Sequence, residues 1–346
     1  MKKINFVIIL CLCCPLLLTA CGSPNNTTSS PEMHSDADSE TDLRADSEID
    51  SETNSKAVSQ TDSETAVTFT DDLGRQVAVD RPERVVCLIA SFADIWYLAG
   101  GVEQIVATTN ATWTYFDLPL REDIVNLGAA KELNIEKLIV CEPDFVLASC
   151  GTDRNTELES AFEEMGINTA YFAVNTFDDY LRMLKVCTEI TGFSENYETY
   201  GTAVRSQVEN ALARAGGSRP SVLYIRATGS SCKVKNSEDS VLGEMLANLD
   251  CENIADRDDS LLEQLSIESI LFHDPDYIFV VLQSADPADA REVLETTLLQ
   301  NPAWASLTAV QEGRYYVMDP NLYNLKPNER WGEAYEKLAD ILYPAR

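Results

Sequence analysis

Histidine is almost missing from this chain: only His34 and His273 occur in 346 residues. Capture of a bare transition metal by an imidazole cluster is therefore a poor fit, and His273 lies within a helical pattern where it reads as a structural residue. Positive charge is also scarce, with 26 Lys and Arg against 57 Asp and Glu and a formal net charge of −31. A field of that sign repels nucleic acid and anionic lipid headgroups, so neither is expected as a partner. There is no G-x-S-x-G, no metal-binding motif, and no histidine in a context that suggests a nucleophile and its base. The chain reads as a non-enzyme with no resident cofactor or metal. A surface hydrolase is the alternative from another class, since paired carboxylates serve glycosidases. A passive surface adhesin is a third reading, and it would need no cleft.

Cysteine is present but uninformative. Three of the ten lie within the first 14 residues, and Cys21 is accounted for below. The remaining six, Cys87, Cys141, Cys150, Cys187, Cys232 and Cys251, form no C-x-x-C and allow 15 pairings, among which the sequence does not choose. Cys87, Cys141 and Cys187 have apolar neighbours and read as small core residues, whereas Cys150 ends a strand.

The one long apolar run, Ile4 to Leu18, is too short and wrongly flanked to span a bilayer. Behind Lys2 and Lys3 it fits the core of a signal peptide over 1–20. It ends in Leu18-Thr19-Ala20-Cys21-Gly22, which has the form of a bacterial lipobox, so Cys21 is expected to become the first mature residue and to carry the lipid. From 22 to 65 Ser, Thr, Asp and Glu dominate, and 11 acids face only Arg44 and Lys56. Such a stretch buries too little apolar surface to fold, so 21–65 is expected to be a disordered acidic tether spanning roughly 35–40 Å as a flexible coil. Membrane contact through the lipid alone, on the extracytoplasmic face, follows from this reading. The length of the tether favours a Gram-positive cell.

Residues 66–346 hold 46 acids and 22 bases and are long enough for two lobes with cores of their own. Within them 134–147 and 266–279 read as one segment written twice at an offset of 132. Asn134-Ile135-Glu136-Lys137-Leu138 answers to Ser266-Ile267-Glu268-Ser269-Ile270, and Glu142-Pro143-Asp144-Phe145-Val146-Leu147 to Asp274-Pro275-Asp276-Tyr277-Ile278-Phe279. Each copy is a short amphipathic helix opening with an acid, then a Pro-Asp turn, then a buried strand. Strand-like runs at 85–90, 104–108, 144–149 and 168–174, and again at 221–226, 277–282 and 314–318, alternate with helical patterns. The expected fold is α/β: a first lobe over 66–193, a second over 217–346, each with a mostly parallel sheet, joined by one long helix over 194–216. A rigid helical connector permits little hinge motion, and a cleft between lobes is a common home for a small ligand.

Three segments carry a family resemblance: Asp72-Leu73-Gly74-Arg75-Gln76-Val77 followed by Arg81-Pro82-Glu83-Arg84-Val85-Val86, the two Glu-to-Pro-Asp repeats, and Lys326-Pro327-Asn328-Glu329-Arg330-Trp331. In this order, behind a lipobox and a tether, the chain resembles the class III substrate-binding proteins of ABC importers, the group serving iron-siderophores, heme and cobalamin, over essentially all of 66–346. The resemblance implies the class III periplasmic-binding-protein fold and a monomer that delivers a small-molecule chelate to an ABC permease. It places Glu136 and Glu268 where such proteins present one carboxylate per lobe to arginines of the permease subunits. The plainer alternative is that both are ordinary acids in the first turn of a helix.

Open α/β sheets bind ligands beyond the carboxyl ends of their strands. That rule selects Ser91, Phe92, Trp113 and Tyr115 in the first lobe, and Arg226, Gln283, Tyr323, Lys326 and Arg330 in the second. Aromatic groups facing cations suit an organic chelate with a flat part and some negative charge, such as an iron-siderophore, with heme or cobalamin as alternatives. Members of the family often carry a histidine shortly before the Lys-Pro-Asn segment. Asn324 stands at that place here, which counts against histidine-ligated heme and leaves tyrosine ligation open.

Overall fold

The computed structural model describes residues 66–344 apart from 239 and 285. The expected signal peptide, the lipid-bearing Cys21 and the tether lie outside the described residues. The described chain opens with a hairpin, β1 (Val67–Thr70) against β2 (Gln76–Val79). Asp71 organises its turn, accepting hydrogen bonds from the backbone N–H of Leu73 and Arg75 at 3.1 and 2.9 Å, and Gly74 supplies the left-handed φ of +81° that the reversal requires. Burial works against charge on Asp71, but the Arg75 guanidinium at 2.7 Å and the amide of Tyr171 outweigh it and hold the carboxyl below its ordinary range.

The first lobe is a five-stranded parallel sheet of β3 (Val85–Cys87), β4 (Ile105–Thr108), β5 (Val125–Asn126), β6 (Phe145–Ser149) and β7 (Thr169–Phe172), in the order β5-β4-β3-β6-β7. Most of their residues are buried, as continuous apolar runs in a two-sided parallel sheet require. The second sheet contains β8 (Ser221–Thr228), β9 (Cys232–Lys235), β10 (Glu252–Asn253), β11 (Tyr277–Gln283) and β12 (Tyr315–Met318). Its order is β10-β8-β11-β12, all parallel, with β9 folded back antiparallel on β8. The fold is thus α/β with two five-stranded, mostly parallel sheets beside the opening hairpin, as expected. Lys233 and Lys235 lie on β9, where Thr228 to Ser231 close a tight turn with Thr228 N–H donating to the Ser231 carbonyl at 2.8 Å.

The helices that matter for function are, in the first lobe, α1 (Ala90–Leu98), α2 (Ala111–Tyr115), α3 (Ile135–Val140) and α4 (Phe177–Thr191). Beyond them come α5 (Ala203–Leu212), α6 (Val241–Asn248), α7 (Ile267–His273) and the closing α8 (Trp331–Leu342). α4 begins with a capping box between Thr176 and Asp179 and stops at Gly192, whose φ is +81°. The connector expected as one helix is helical from Glu195 but carries a π turn over Glu198–Thr202 and ends at Leu212. The Tyr180 hydroxyl donates to the Tyr200 carbonyl at 2.8 Å within that turn, and a local competitor of this kind for a helix carbonyl accompanies the departure from regular α geometry.

One core runs through both lobes. Trp96, Phe145 and Tyr180 of the first belong to the same buried cluster as Tyr224, Phe279, Trp331 and Tyr335 of the second. α8 lies so close on α5 that a Cβ at Gly332 would collide with Gln207. Each sheet covers its other face with a separate core, around Val86, Leu138 and Phe162 in one lobe and Leu223, Ile270 and Trp304 in the other.

Candidate functional site

A pocket of about 360 Å³ opens between the lobes. The first lobe contributes Asp94 and Tyr97 from α1, Tyr115 at the end of α2 and the Phe116 to Leu118 stretch after it, and the second contributes Asn321 and, from the segment leading into α8, Leu325 to Pro327, Glu329 and Arg330. The wall is held from behind by Asn328, fully buried with a left-handed φ of +50°. Its amide nitrogen donates to the Asp94 carboxylate at 2.6 Å and to the Ser91 carbonyl at 2.9 Å, tying the last segment of the chain to the first lobe. The amide oxygen of Asn328 is buried and has no hydrogen-bond partner among the described residues.

Charge in the pocket is mixed. Burial lifts the Asp94 carboxyl to about 7, the bond from Asn328 opposing it and nearby Glu329 adding to it. Burial also lowers the Lys326 ammonium to about 8, with Asp179 and Glu244 acting in the other direction. Lys326 lies 3.5 Å from the side-chain oxygen of Asn175 and forms no ion pair with a described residue. Arg330 is different: its guanidinium grips Glu333 at 2.7 and 3.2 Å, and that contact holds the Glu333 carboxyl down at about 2. Lys326 is therefore the cation of the pocket that is not held in an ion pair with a described residue.

Of the nine residues selected by the sequence, Tyr115, Lys326 and Arg330 line this pocket. Trp113 shares α2 with Tyr115 and is exposed beside it. Ser91 is buried and serves through its carbonyl. Phe92 and Tyr323 are buried and do not line this pocket. Phe92 packs edge-on against Phe172 in the core, because the chain enters α1 as soon as β3 ends and the inner face of that helix takes the ring. Tyr323 is buried with its hydroxyl donating to the Ala334 carbonyl at 3.0 Å. Arg226 and Gln283 lie on one face of the second sheet at the carboxyl ends of β8 and β11, Arg226 opposite Lys233 of β9, and they do not line the pocket. Tyr97, Phe116 and Asp117 escaped the sequence reading. Asp94 had a legible signal, as the lone acid in the otherwise apolar Ala90–Leu98 helix.

Among the described residues no group of three or more His, Cys, Asp or Glu could hold a metal ion, and the six cysteines are free thiols. Glu136 and Glu268 are both exposed and stand in the first turn of their helices, two residues beyond the caps Asn134 and Ser266. Asn134 accepts from the Lys137 N–H at 2.8 Å and Ser266 from the Ser269 N–H at 3.2 Å, so the two copies of the duplicated segment begin alike.

Comparison with known proteins places this architecture. YhfQ of Bacillus subtilis (strain 168), whose name assigns it to the ABC transporter substrate-binding lipoproteins, is 22% identical over 276 residues, 75% of this chain and 83% of its own. A cobalamin-binding protein of Halobacterium salinarum (strain ATCC 29341 / DSM 671 / R1) is 26% identical over 280 residues, 78% of this chain and 74% of its own. Among solved structures, the iron uptake ABC transporter substrate-binding protein PiuA from Streptococcus pneumoniae Canada MDR_19A superposes with a TM-score of 0.63 at 20% identity, covering 82% of this chain and 99% of that one. The fold is that of the class III periplasmic binding proteins. A family profile described as "Periplasmic binding protein" matches residues 85–322, and the chain belongs to that family, whose members bind their ligands and do not transform them.

Proposed function

We propose that this chain is the lipid-anchored substrate-binding component of an ABC importer, taking an iron-siderophore-type chelate between its lobes and presenting it to the permease. The observation that carries the reading is the interlobe pocket itself, where Tyr97, Tyr115 and Phe116 offer aromatic surface and Lys326 a positive charge outside any ion pair with a described residue. Its volume of about 360 Å³ is at the lower end for small-ligand sites and suits a compact chelate. Docking falls to Glu136 and Glu268, one exposed carboxylate on each lobe. The lipid on Cys21 would keep the protein at the outer face of the membrane, probed by metabolic labelling with a fatty acid in cells making the chain or its Cys21→Ser variant.

The test is a titration of Trp fluorescence with ferric siderophores, the same siderophores without iron, heme and cobalamin. Trp113 is the exposed reporter, adjacent in the chain to the pocket; Trp96, Trp304 and Trp331 are buried. Saturable quenching by a ferric chelate, weakened at least tenfold by Lys326→Met, is the expected result. Cobalamin alone giving saturation would favour a second reading, supported by the Halobacterium relative. Silence across the panel would move the ligand outside iron and corrinoid chemistry.

A further inference from the structure

The two most exposed large apolar side chains of the described molecule occupy the same place in the two copies of the duplicated segment. Val140 is 80% and Phe272 85% exposed, and no other large apolar residue among those described exceeds 46%. They are separated by the same offset of 132 as Glu136 and Glu268, and each follows its acid by four positions. Residues i and i+4 share a helix face, so each lobe shows a carboxylate and a large apolar group side by side. The orientation is fixed from within: Leu138 on α3 and Ile270 on α7, also related by that offset, are fully buried in the outer cores of their lobes. A single exposed apolar residue is ordinary. The same exposure at one position of two copies that differ at most others is not explained by packing.

We infer that each lobe carries one half of a composite docking epitope, an acid with an apolar anchor one turn further on, and that the partner displays twice a cation beside an apolar cup. The inference rests on the permease-docking reading and adds the apolar half to it. Charge complementarity selects the occupant. Neither glutamate forms an ion pair with a described residue, and Glu268 only accepts a bond from the Ser266 hydroxyl at 3.1 Å. A second copy of this chain would set acid against acid, and an anionic lipid surface would be repelled in the same way. A protein assembled from two like subunits, each presenting Arg or Lys next to an apolar depression, meets both halves at once. The acids would supply the salt-sensitive part of the attraction and Val140 and Phe272 the salt-insensitive part.

The experiment measures binding of the full mature chain to its own permease in lipid nanodiscs at two salt concentrations. Val140→Ser and Phe272→Ser are each expected to weaken binding by about tenfold at both salts, and the double variant by about a hundredfold. Glu136→Gln and Glu268→Gln should weaken it chiefly at low salt. Unchanged melting temperatures would establish that these exposed substitutions leave the fold alone. Normal binding by both serine variants, with loss in the glutamine variants, would overturn the apolar half and leave docking through the acids standing. Normal binding by all four would overturn both. Concentration-dependent dimers of the unaltered chain that vanish in Phe272→Ser would overturn the inference in favour of self-association.

Discussion

The first and second lobes spend the duplicated segment in the same two ways, and the contrast between its inward and outward positions is more instructive than either lobe alone. Inward, Leu138 and Ile270 are buried. Glu142 and Asp274 both turn the chain through a left-handed backbone, at φ +44° and +38°. Asp144 accepts from the N–H groups of Glu83 and Arg84 at 2.8 and 3.0 Å, fastening the start of β3, and Asp276 accepts from the N–H and hydroxyl of Ser221 at 2.8 Å each, fastening the start of β8. Outward, Glu136, Glu268, Val140 and Phe272 touch little of the described protein. The duplicated acids of the Pro-Asp turn thus hold the fold together. Those at the helix starts have no comparable structural task.

Matched substitutions in the two lobes break or sharpen this division. The largest effect is expected at the buried position: Leu138→Ala and Ile270→Ala should each cost about 2–5 kcal/mol in urea denaturation, and a cost below ~1 kcal/mol in one lobe would mean that its copy is not equally packed. Next come Asp144→Ala, which removes the acceptor of two backbone N–H groups, and Asp276→Ala, which removes that of one backbone N–H and one hydroxyl, each at the entrance to a strand and expected to cost about 1–3 kcal/mol in the same assay. The caps Asn134→Ala and Ser266→Ala follow at about 1 kcal/mol. Glu136→Gln and Glu268→Gln should move stability by less than about 0.5 kcal/mol, which is what outward positions predict.

The pocket admits a pH test on the lobe that carries Asp94. Its carboxyl titrates near 7 in the folded protein against an ordinary value of 3.8, so the folded state holds this proton more tightly than the unfolded chain. The stability it contributes is full below about pH 4 and is lost as pH rises through about 7. Asp94→Asn, which still offers Asn328 an acceptor, should match the unaltered protein at pH 4 and exceed it by about 1–3 kcal/mol at pH 8. Equal stability at both pH values would show that Asp94 is solvated.

Much of this architecture was legible beforehand because it rests on local rules. The repeated helix-turn-strand units and the strands β3, β4, β6, β7, β8, β11 and β12 follow from turn chemistry and apolar periodicity. The two-residue strands β5 and β10 carry no periodicity to read, and β9 alternates too briefly to separate from a loop. The contact residues were less legible for a different reason. Position after a strand is a property of sequence, whereas the direction of a side chain there is set by how soon a helix begins, and that is what drew Phe92 and Tyr323 inward. Arg226 is a case of the same kind, because only the register of β8 with β9 and β11 shows which face it occupies.

The core shared by both lobes carries a consequence for how the protein comes apart. Since Trp96 and Trp331 belong to one buried cluster, loss of packing in either lobe is expected to expose part of the core of the other. Heating should produce a single cooperative transition in place of two, and a saturating ligand in the pocket would raise the melting temperature of the whole described chain. A protease should likewise find no early cleavage site between the sheets, because the segment joining them packs on the shared core.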